Sequence, residues 1–386
     1  MRISLVGTRG VPARYGGFET AVDEIGTRLV AQGHEVTVYC RTEPGQERPD
    51  EHNGMKLIYL PKLRRRSLET LSHTALSLAH HARHGNADAM IVFNSANSVL
   101  LPLTWLRRTP VATHVDGLEW RRGKWGPTGQ KYYRVAEALA VRWSDRLIAD
   151  ADGISDYYRE EFAADTERIA YGAPILSDLD TDLLEAEGLT KGGYHLVVAR
   201  FEKENNVLPA VQGYLRSDAK LPLVLVGSAP YASDYTAEIE RLAASDPRIR
   251  LMGGVWNQDL LDQMYAHAAT YIHGHSVGGT NPSLLRAMGA ASPVLAYDVC
   301  FNREVLGADG QFFDSPDALA ALLNAAEQSP QSMQDLGTEL QSRVGTMYTW
   351  DVVAKLYEAL CDDMARGNSQ RGRFSGRRRR ESTWRH

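Results

Sequence analysis

Two loops of small residues, far apart in the chain, could each bind an anionic ligand. The first spans residues 7–20 and the second residues 275–283, and each follows a short apolar stretch. Such loops let backbone N–H groups and the N-terminus of the next helix meet a phosphate. Because each loop opens a region of alternating strand and helix patterns, the two together predict two nucleotide-type domains that face one cleft.

The first loop lacks the glycine pattern of a dinucleotide site. No G-x-G-x-x-G sequence follows the predicted strand Ile3–Gly7, which disfavours a nicotinamide-dependent enzyme. The loop nevertheless combines Arg9 and Glu19 with several glycines, and functional residues concentrate in loops. We therefore favour a binding role over the simpler interpretation, which is a tight connection between a strand and a helix.

Polar and aromatic residues follow another predicted strand end. His114, Asp116 and Glu119 lie within six residues, so they could bond sugar hydroxyls, and the carboxylates could tune the histidine. Trp120 beside them offers an apolar face on which a pyranose ring could stack. The alternative is a structured loop whose acids pair with the basic residues that follow.

Two cations follow the first predicted strand of the second half, His195–Ala199. Arg200 and Lys203 could neutralise a diphosphate leaving group, which needs cationic partners where no metal supplies the charge. The alternative is surface ion pairing with Glu202 and Glu204, which contributes little to stability. Arg200 is nearer to the strand end and is the stronger candidate.

The second loop is denser in small and hydroxyl-bearing residues than a helix cap requires. Its N–H groups could hold a diphosphate or the edge of a sugar at the start of the next helix. The alternative is a glycine turn capped by Asn281 or Ser283. The candidate donor-binding residues in this loop are His275, Ser276, Gly278, Gly279, Thr280, Asn281 and Ser283.

Short apolar strands alternate with helix-like segments in both halves of the chain. This pattern predicts an α/β fold with a doubly wound parallel sheet in each half and ligands at the carboxyl ends of the strands. The predicted strands are Ile3–Gly7, Glu35–Cys40, Met55–Leu60, Ala89–Phe93, Val111–His114 and Arg146–Ala149, then His195–Ala199, Leu223–Val226, Ile249–Met252, Thr270–His273 and Val294–Tyr297.

Length and composition fit a two-domain protein of a reducing compartment. A chain of 386 residues, 43% hydrophobic and 24% charged, is too long for one ordinary core. Its three cysteines cannot all pair and lack metal-ligand spacing. With no leader-like start and no apolar run of about 18 residues, the sequence predicts a cytoplasmic protein. We expect no bound metal ion.

The net charge of −5 is unevenly distributed along the chain, because the C-terminal segment is basic. Residues 366–386 hold eight arginines and one glutamate, and subtracting this +7 from the total leaves −12 on residues 1–365. An acidic body disfavours nucleic acid as the partner. The basic arm points instead to an anionic surface such as the inner leaflet of a membrane.

Four ordered stretches resemble one protein family. They are GTRGVPARYGGFET from Gly7, HVDGLEWRRGKWG from His114, ARFEKENNV from Ala199, and GHSVGGTNPSLLRAMG from Gly274 with FNREVLG further on. They are similar to bacterial family-4 glycosyltransferases over roughly residues 1–360. The most similar subgroup is the rhamnosyltransferase-like one of capsule and exopolysaccharide synthesis. The stretch YTWDVVAKLYEAL resembles the family's final helix.

The resemblance implies a GT-B fold, in which two Rossmann-like doubly wound domains face a central cleft. It places an acceptor-side domain at residues 1–172, a linker at 173–193, a nucleotide-sugar domain at 194–348, a helix crossing back to the first domain at 349–365, and a disordered basic tail at 366–386. It also implies a retaining, metal-independent transferase without a cofactor, whose co-substrate is a nucleotide-diphosphate sugar.

The same resemblance implies roles for the site residues. Arg200 and Lys203 hold the donor diphosphate, and residues 275–283 cradle the phosphates and the donor sugar. The expected catalytic residues, near the reacting sugar, are His114, Asp116, Glu119 and Arg200. The expected acceptor-side residues are Arg9, Gly16, Gly17, Glu19 and Trp120.

Three positions depart from the pattern of the wider family. That family carries two glutamates eight residues apart around the last loop, where this chain has Gly278 and Arg286. A glycine is usual in the subgroup, whereas the second glutamate usually grips the nucleotide ribose. Arg286 is therefore expected either to pair with a donor phosphate or to mark an altered donor site. Asn205, and not Lys203, aligns with the family's lysine.

The sequence leaves three functions open. The favoured one is transfer of a sugar, with rhamnose as the sugar of the subgroup, to a saccharide or lipid-linked saccharide in surface-polysaccharide synthesis at the inner face of the cell membrane. The second is a non-catalytic protein of the same fold that binds a ligand or partner. The third is epimerisation of a sugar nucleotide, which the lack of an evident acid–base carboxylate pair in the second half disfavours. The oligomeric state stays open.

Overall fold

The computed structural model describes residues 1–13, 16–45, 47–63, 68–115, 117–121, 125–227, 234–308 and 310–372. The chain divides into two compact units. The first unit comprises Met1–Tyr171 together with residues 350–372, and the second comprises Gly172–Thr349. Each unit is built around its own sheet.

The described residues contain fourteen strands and thirteen α-helices, which alternate along most of the chain. The strands are β1 (Arg2–Val6), β2 (Glu35–Arg41), β3 (Glu51–His52), β4 (Met55–Leu60), β5 (Ala89–Phe93), β6 (Val111–His114), β7 (Arg146–Ala149), β8 (Glu167–Arg168), β9 (His195–Val198), β10 (Leu223–Val226), β11 (Ile249–Gly253), β12 (Thr270–His273), β13 (Val294–Tyr297) and β14 (Gln311–Phe313). The helices are α1 (Gly17–Ala31), α2 (Glu69–His84), α3 (Pro127–Trp143), α4 (Asp152–Phe162), α5 (Asp182–Ala186), α6 (Val207–Arg216), α7 (Asp234–Ala244), α8 (Gln258–His267), α9 (Pro282–Gly289), α10 (Cys300–Leu306), α11 (Pro316–Gln328), α12 (Pro330–Met347) and α13 (Trp350–Ala365). Among the described residues, a long 3-10 helix covers Ser95–Arg107, and two short ones cover Glu119–Arg121 and Lys203–Asn205.

The first unit contains an eight-stranded sheet in the order β3-β4-β2-β1-β5-β6-β7-β8. All neighbouring strands in it are parallel except the β3–β4 pair. Its central strand β5 is buried at every residue, as expected for a strand covered on both faces. The chain order reverses between β1 and β5, so the loops after these two strands meet at the switch point of the sheet.

The final helix α13 belongs to the first unit, although the whole second unit precedes it in the sequence. It packs on α1, where Arg28 Nε lies 2.5 Å from Asp351 Oδ1. His34, just after α1, places its Nε2 2.9 Å from Glu358 Oε1. These contacts return the chain to the first unit.

The second unit contains a parallel six-stranded sheet in the order β11-β10-β9-β12-β13-β14. Its switch point lies between β9 and β12. The segment 173–193, predicted as a linker, contains α5 and packs on α8. Asp182 Oδ1 accepts a hydrogen bond from Gln263 Nε2 at 2.8 Å, and Leu184 is fully buried.

The predicted α/β fold with a parallel sheet in each half is confirmed. The apolar stretches read as strands are the buried strands of the two sheets, because parallel strands covered on both faces require continuous apolar runs. Among the described helices, none combines the length and the apolar character that crossing a bilayer requires.

Candidate active site

In the second unit, the loops after β9 and β12 emerge side by side because these strands are neighbours in the sheet. The Ser276 N–H donates to Glu204 O at 2.9 Å, and the Ser276 hydroxyl donates to the same oxygen at 3.0 Å. The predicted diphosphate residues Arg200 and Lys203 therefore share one carboxyl edge with the loop 275–283, at the switch point where α/β sheets bind ligands.

Asn205 is the buried residue that joins these two loops, with 7% of its surface exposed. Its Nδ2 donates to Arg200 O at 2.8 Å, and its Oδ1 lies 2.7 Å from His275 Nδ1. Because the Arg200 carbonyl requires a donor, the amide orientation is fixed, and His275 Nδ1 carries the proton that Oδ1 accepts. The position that aligns with the family's lysine thus sets the ring orientation of His275.

Further hydrogen bonds hold the start of the second loop from two sides. The Asn206 amide donates to Gly274 O at 2.7 Å, and the Asn302 amide of α10 donates to His275 O at 3.0 Å. A Cβ atom at Gly274 would lie 2.2 Å from Asn205 O, so only glycine permits this close approach. The loop is therefore pre-formed, which reduces the ordering entropy that a ligand has to overcome.

The two predicted diphosphate cations are exposed at this edge. The Arg200 side chain is 45% exposed, and its Nη2 lies 3.5 Å from Glu202 Oε2. An exposed ion pair of this kind contributes little, so a phosphate can replace Glu202 as the partner of the guanidinium. Lys203 begins the short 3-10 helix Lys203–Asn205 on the same loop.

Within the second loop, two side chains shape the start of α9. Asn281 caps the helix by accepting a hydrogen bond from the Ser283 N–H at 2.9 Å, which is the capping role considered as the alternative. The Ser283 hydroxyl lies 2.5 Å from the Tyr265 hydroxyl and 3.0 Å from the Tyr271 hydroxyl. Gly278 has a φ of 117°, a conformation that favours glycine. The remaining residues are half-buried Gly279 and buried Thr280.

Arg286 is bound by a carboxylate of the neighbouring helix α8. Its Nε and Nη2 lie 2.5 and 2.6 Å from the two oxygens of Asp262, which is a bidentate pair. Gln258 Nε2 also donates to Asp262 Oδ1 at 2.9 Å. A donor phosphate would therefore have to compete with Asp262 for this guanidinium.

In the first unit, the glycine-containing loop after β1 folds back on α1. Glu19, in the first turn of α1, accepts a hydrogen bond from the Arg9 N–H at 3.0 Å. Gly16 and Gly17 lead into the helix, and the Thr20 N–H donates to Gly16 O at 3.1 Å. The structure thus brings four of the predicted acceptor-side residues together and leaves the Arg9 side chain exposed.

A pocket of about 240 Å³ lies beside this loop. It is lined by two guanidinium groups and two carboxylates, which belong to Arg9, Arg41, Glu19 and Glu43. Paired donors and acceptors around a small volume suit a polyhydroxylated ligand such as a sugar.

Arg41 is a buried cation of this pocket that the sequence did not indicate. It is 6% exposed, and its Nη2 donates to Thr70 Oγ1 at 2.8 Å. Its Nε is buried without a hydrogen-bond partner among the described residues. Burial, with the charge of Arg9 as a smaller cause, lowers the pKa of Arg41. A ligand that accepts a hydrogen bond from Arg41 Nε would offset the free energy that is lost when this group is buried without a partner.

His114 ends β6 inside a cluster of aromatic rings and is 2% exposed. It stacks on Phe93 with 5.7 Å between ring centroids, and Phe18 and Tyr171 contact it from other sides. Burial lowers the pKa of His114 to about 3. At neutral pH the ring is therefore neutral and can act only as a hydrogen-bond partner. Asp116, predicted to act with it, lies outside the described residues.

Glu119 and Trp120 lie in the next turn. Glu119 is buried and accepts a hydrogen bond from Trp125 Nε1 at 3.1 Å. The guanidinium carbons of Arg121 and Arg134 lie 5.0 and 5.1 Å from the Trp120 ring centroid. The Trp120 ring, which was expected to stack on a sugar, thus makes two cation–π contacts with arginines of its own unit.

Two family models match the chain. The model of a glycosyl transferase 4-like domain matches residues 16–172, and the model of glycosyl transferases group 1 matches residues 194–328. The chain is a family-4 glycosyltransferase. The family predicted from the sequence is confirmed at this level, and so is the prediction that the protein is an enzyme.

Two curated proteins are similar to parts of this glycosyltransferase. An uncharacterised 42.6 kDa protein in the cps region of Klebsiella pneumoniae is 43% identical over 61 residues, which is 16% of each chain. The O-antigen chain mannosyltransferase B of Escherichia coli is 25% identical over 175 residues, 44% of this chain and 45% of that protein. The chain therefore spans less than half the length of the curated relatives that it matches.

Solved structures show that the glycosyltransferase has the GT-B fold. Sucrose-phosphate synthase from Thermosynechococcus elongatus matches with a TM-score of 0.76 and 20% identity, covering 94% of this chain and 98% of that one. Anabaena HepE in complex with UDP matches with a TM-score of 0.73 and 16% identity, covering 95% and 100%. Identities this low support the fold and not the substrate.

Another polar residue that the sequence did not indicate lies at the carboxyl edge of the first sheet. Asn97 follows β5 at the switch point of the first sheet, is fully buried, and donates to Phe93 O at 2.8 Å. Its Oδ1 is buried without a partner among the described residues. Its position after a strand next to β1 is a signal that could have identified it. Within the described part of the glycosyltransferase, no group of three or more His, Cys, Asp or Glu side chains has a metal-binding arrangement.

Proposed function

We propose that this glycosyltransferase moves a sugar from a nucleotide-diphosphate donor to a saccharide or lipid-linked saccharide, with retention of configuration and without a metal ion or cofactor. The observation that carries the proposal is that hydrogen bonds join the loops after β9 and β12 at the switch point of the second sheet. There, Arg200 and Lys203 are exposed on one loop, and the other is pre-formed. HepE has been solved with UDP and with UDP-glucose, which supports a nucleotide sugar as the donor.

The chemistry required of the protein is stabilisation of the leaving group. When the bond between the sugar carbon and the diphosphate oxygen breaks, the electron pair goes to the diphosphate. The Arg200 guanidinium and the Lys203 ammonium, together with N–H groups of the second loop, lower the energy of that charge. Because hydrogen bonds already hold the loops in place, little reorganisation accompanies bond breaking.

We assign the acceptor saccharide to the pocket of about 240 Å³ in the first unit. Arg9 and Arg41 can donate hydrogen bonds to sugar oxygens, and Glu19 can accept them from hydroxyl groups. His114 and Glu119 are proposed to lie near the reacting sugar. Since burial lowers the pKa of His114 to about 3, its role is that of a neutral hydrogen-bond partner and not of a charged acid.

We propose that the transfer belongs to surface-polysaccharide synthesis, of capsule or exopolysaccharide, with rhamnose as the donor sugar. The resemblance of the four motifs supports the sugar, and the relative in a cps region and the O-antigen mannosyltransferase support the process. The proposed location is the cytoplasm at the inner face of the membrane. The arginine-rich residues 366–386 would bind the anionic lipid there.

A second candidate function is binding of a ligand or partner without turnover. The observation that favours it is the Arg286–Asp262 pair, which occupies the position where the wider family has a glutamate for the nucleotide ribose. A protein of this kind would not bind a nucleotide sugar.

Thermal unfolding with thymidine-, uridine- and guanosine-diphosphate sugars tests the proposal. A donor that binds only the native state stabilises it by about 2.7 kcal/mol at a hundred times its Kd. We expect one nucleotide class to raise the Tm of the wild type and to have little effect on Arg200→Ala. The matched control is Arg216→Ala, which removes another half-exposed arginine of the same unit and should keep the full shift. If no nucleotide sugar stabilises the wild type, the second candidate replaces the first.

A further inference from the structure

A second surface of the first unit lies at the amino edge of its sheet, the edge opposite His114 and the glycine-containing loop. The 3-10 helix Ser95–Arg107 ends there, shortly before β6 begins. Its last turn leaves two large apolar side chains in solvent, because Leu106 is 72% exposed and Trp105 is 40% exposed. The exposed Arg107 and Arg108 follow directly. The end of this 3-10 helix, which we call the apolar tip, therefore exposes Trp105 and Leu106 next to two arginines.

The arginine-rich segment begins at this same surface. After α13, the Gln370 N–H donates to Asp145 O at 2.8 Å, which fixes the chain beside the start of β7. The Arg371 guanidinium carbon then lies 5.6 Å from the Trp105 ring centroid, in a cation–π contact. Residues 373–386 follow and contain six arginines and one glutamate. Residues 370–372, from which the arginine-rich residues continue, therefore lie next to the exposed apolar side chains.

Neighbouring elements add further positive charge. Arg107 donates to the carbonyl of Arg83 at the end of α2, and the Gly372 N–H donates to Arg142 O at the end of α3. Asp145, the acid at the root of the tail, is 3% exposed and already hydrogen-bonded. We call this surface the docking face. Its residues are Arg83, Trp105, Leu106, Arg107, Arg108, Arg142 and Arg371.

We infer that the docking face binds an anionic lipid bilayer, with Leu106 and the edge of Trp105 in the interface and the arginines on the headgroup phosphates. The inference deepens the proposed membrane attachment, because it adds a folded, partly apolar surface to the tail. Apolar side chains rimmed by cations are typical of proteins that lie in a bilayer interface. Nucleic acid would satisfy the arginines but offers no comparable apolar medium to an exposed leucine.

The orientation fits the proposed reaction. The docking face lies at the amino edge of the first sheet, whereas the acceptor pocket lies beside the loop after β1, at the carboxyl edge. Binding to lipid through the docking face therefore leaves the pocket of the same unit uncovered.

Co-sedimentation of the full chain with lipid vesicles tests the inference. We expect binding to phosphatidylcholine vesicles that contain phosphatidylglycerol and none to phosphatidylcholine alone. Leu106→Glu should weaken binding about tenfold, because it places a carboxylate at the anionic interface. The matched control is Leu251→Glu, an exposed leucine of the second unit, which should bind as the wild type does. Deletion of 373–386 should weaken binding by about tenfold or more.

Three results would overturn the inference. One is equal vesicle binding by Leu106→Glu and the wild type, which would show that the tail binds the lipid without the docking face. Another is equal binding to phosphatidylcholine vesicles with and without phosphatidylglycerol, which would show that anionic headgroups are not recognised. The third is tighter binding to an RNA oligonucleotide than to vesicles, with no effect of Leu106→Glu, which would identify nucleic acid as the partner. Donor-induced stabilisation, measured on the same variants, tests the transfer proposal separately, since none of these residues belongs to the candidate active site.

Discussion

Replacing Asn205 by alanine should loosen the two loops that form the proposed donor site. The side chain makes hydrogen bonds of 2.8 Å to Arg200 O and 2.7 Å to His275 Nδ1. Each such bond contributes about 1 kcal/mol net, and a buried group left unpaired adds a desolvation penalty, so the loss of unfolding free energy should be about 2–3 kcal/mol. Asn205→Ala should also weaken donor binding, because the freed loops must be ordered by the ligand.

Urea unfolding and titration calorimetry with the donor identified by thermal unfolding measure the two effects. In Asn205→Ala, the ligand must order the loops when it binds. If this ordering costs about half of the lost free energy of unfolding, the Kd should rise about tenfold, since 1.4 kcal/mol corresponds to a factor of ten. The matched control is Asn324→Ala, which removes one hydrogen bond to the Asp218 N–H at the surface of the same unit. The control should lose less than about 1 kcal/mol and keep its donor affinity. Equal losses in both variants, or an unchanged Kd in Asn205→Ala, would refute the reasoning.

Three further predictions concern the two units. A double-mutant cycle of Asp262→Ala and Arg286→Met, measured by urea unfolding, should give a coupling free energy of about 1–3 kcal/mol, and additive losses would contradict the bidentate pair. The pKa of His114 is about 3 in the folded chain against 6.5 in the unfolded one, so stability present above pH 6.5 is lost as the pH falls toward 3. His114→Phe should therefore flatten the decline of unfolding free energy in this window, and an unchanged slope would show that the ring is not desolvated. Arg41→Met, which keeps an apolar stem in the pocket, should raise the acceptor KM in a transfer assay about tenfold or more and leave the donor affinity unchanged. An unchanged acceptor KM would show that the acceptor does not bind in this pocket.

Much of the fold could be predicted because its strands are continuous apolar runs. β5 and β10, for example, are buried at every residue, and their positions match the predicted strands. β14 was missed because it contains three residues, too few to show a pattern. The 3-10 helix Ser95–Arg107, which contains Pro102, was also missed, since a proline inside a helical run argues against a helix.

The candidate site could be predicted where its residues directly follow a strand. Arg200 and His275 lie after β9 and β12, and strand adjacency brings them to one edge. Asn205 and Asp262 could not be found in this way, because their partners His275 and Arg286 lie 70 and 24 residues away. Such pairs depend on which strands and helices become neighbours, and a local pattern does not contain that information.

The central claim is that Arg200 stabilises the diphosphate released during sugar transfer. The most direct measurement is the rate of glycoside formation from a stabilising nucleotide sugar and a saccharide acceptor, for the wild type, Arg200→Ala and the control Arg216→Ala. We predict a drop in kcat of about a hundredfold or more for Arg200→Ala, as for loss of one charge-stabilising group, with an unchanged rate for the control. Wild-type turnover by Arg200→Ala would contradict the account.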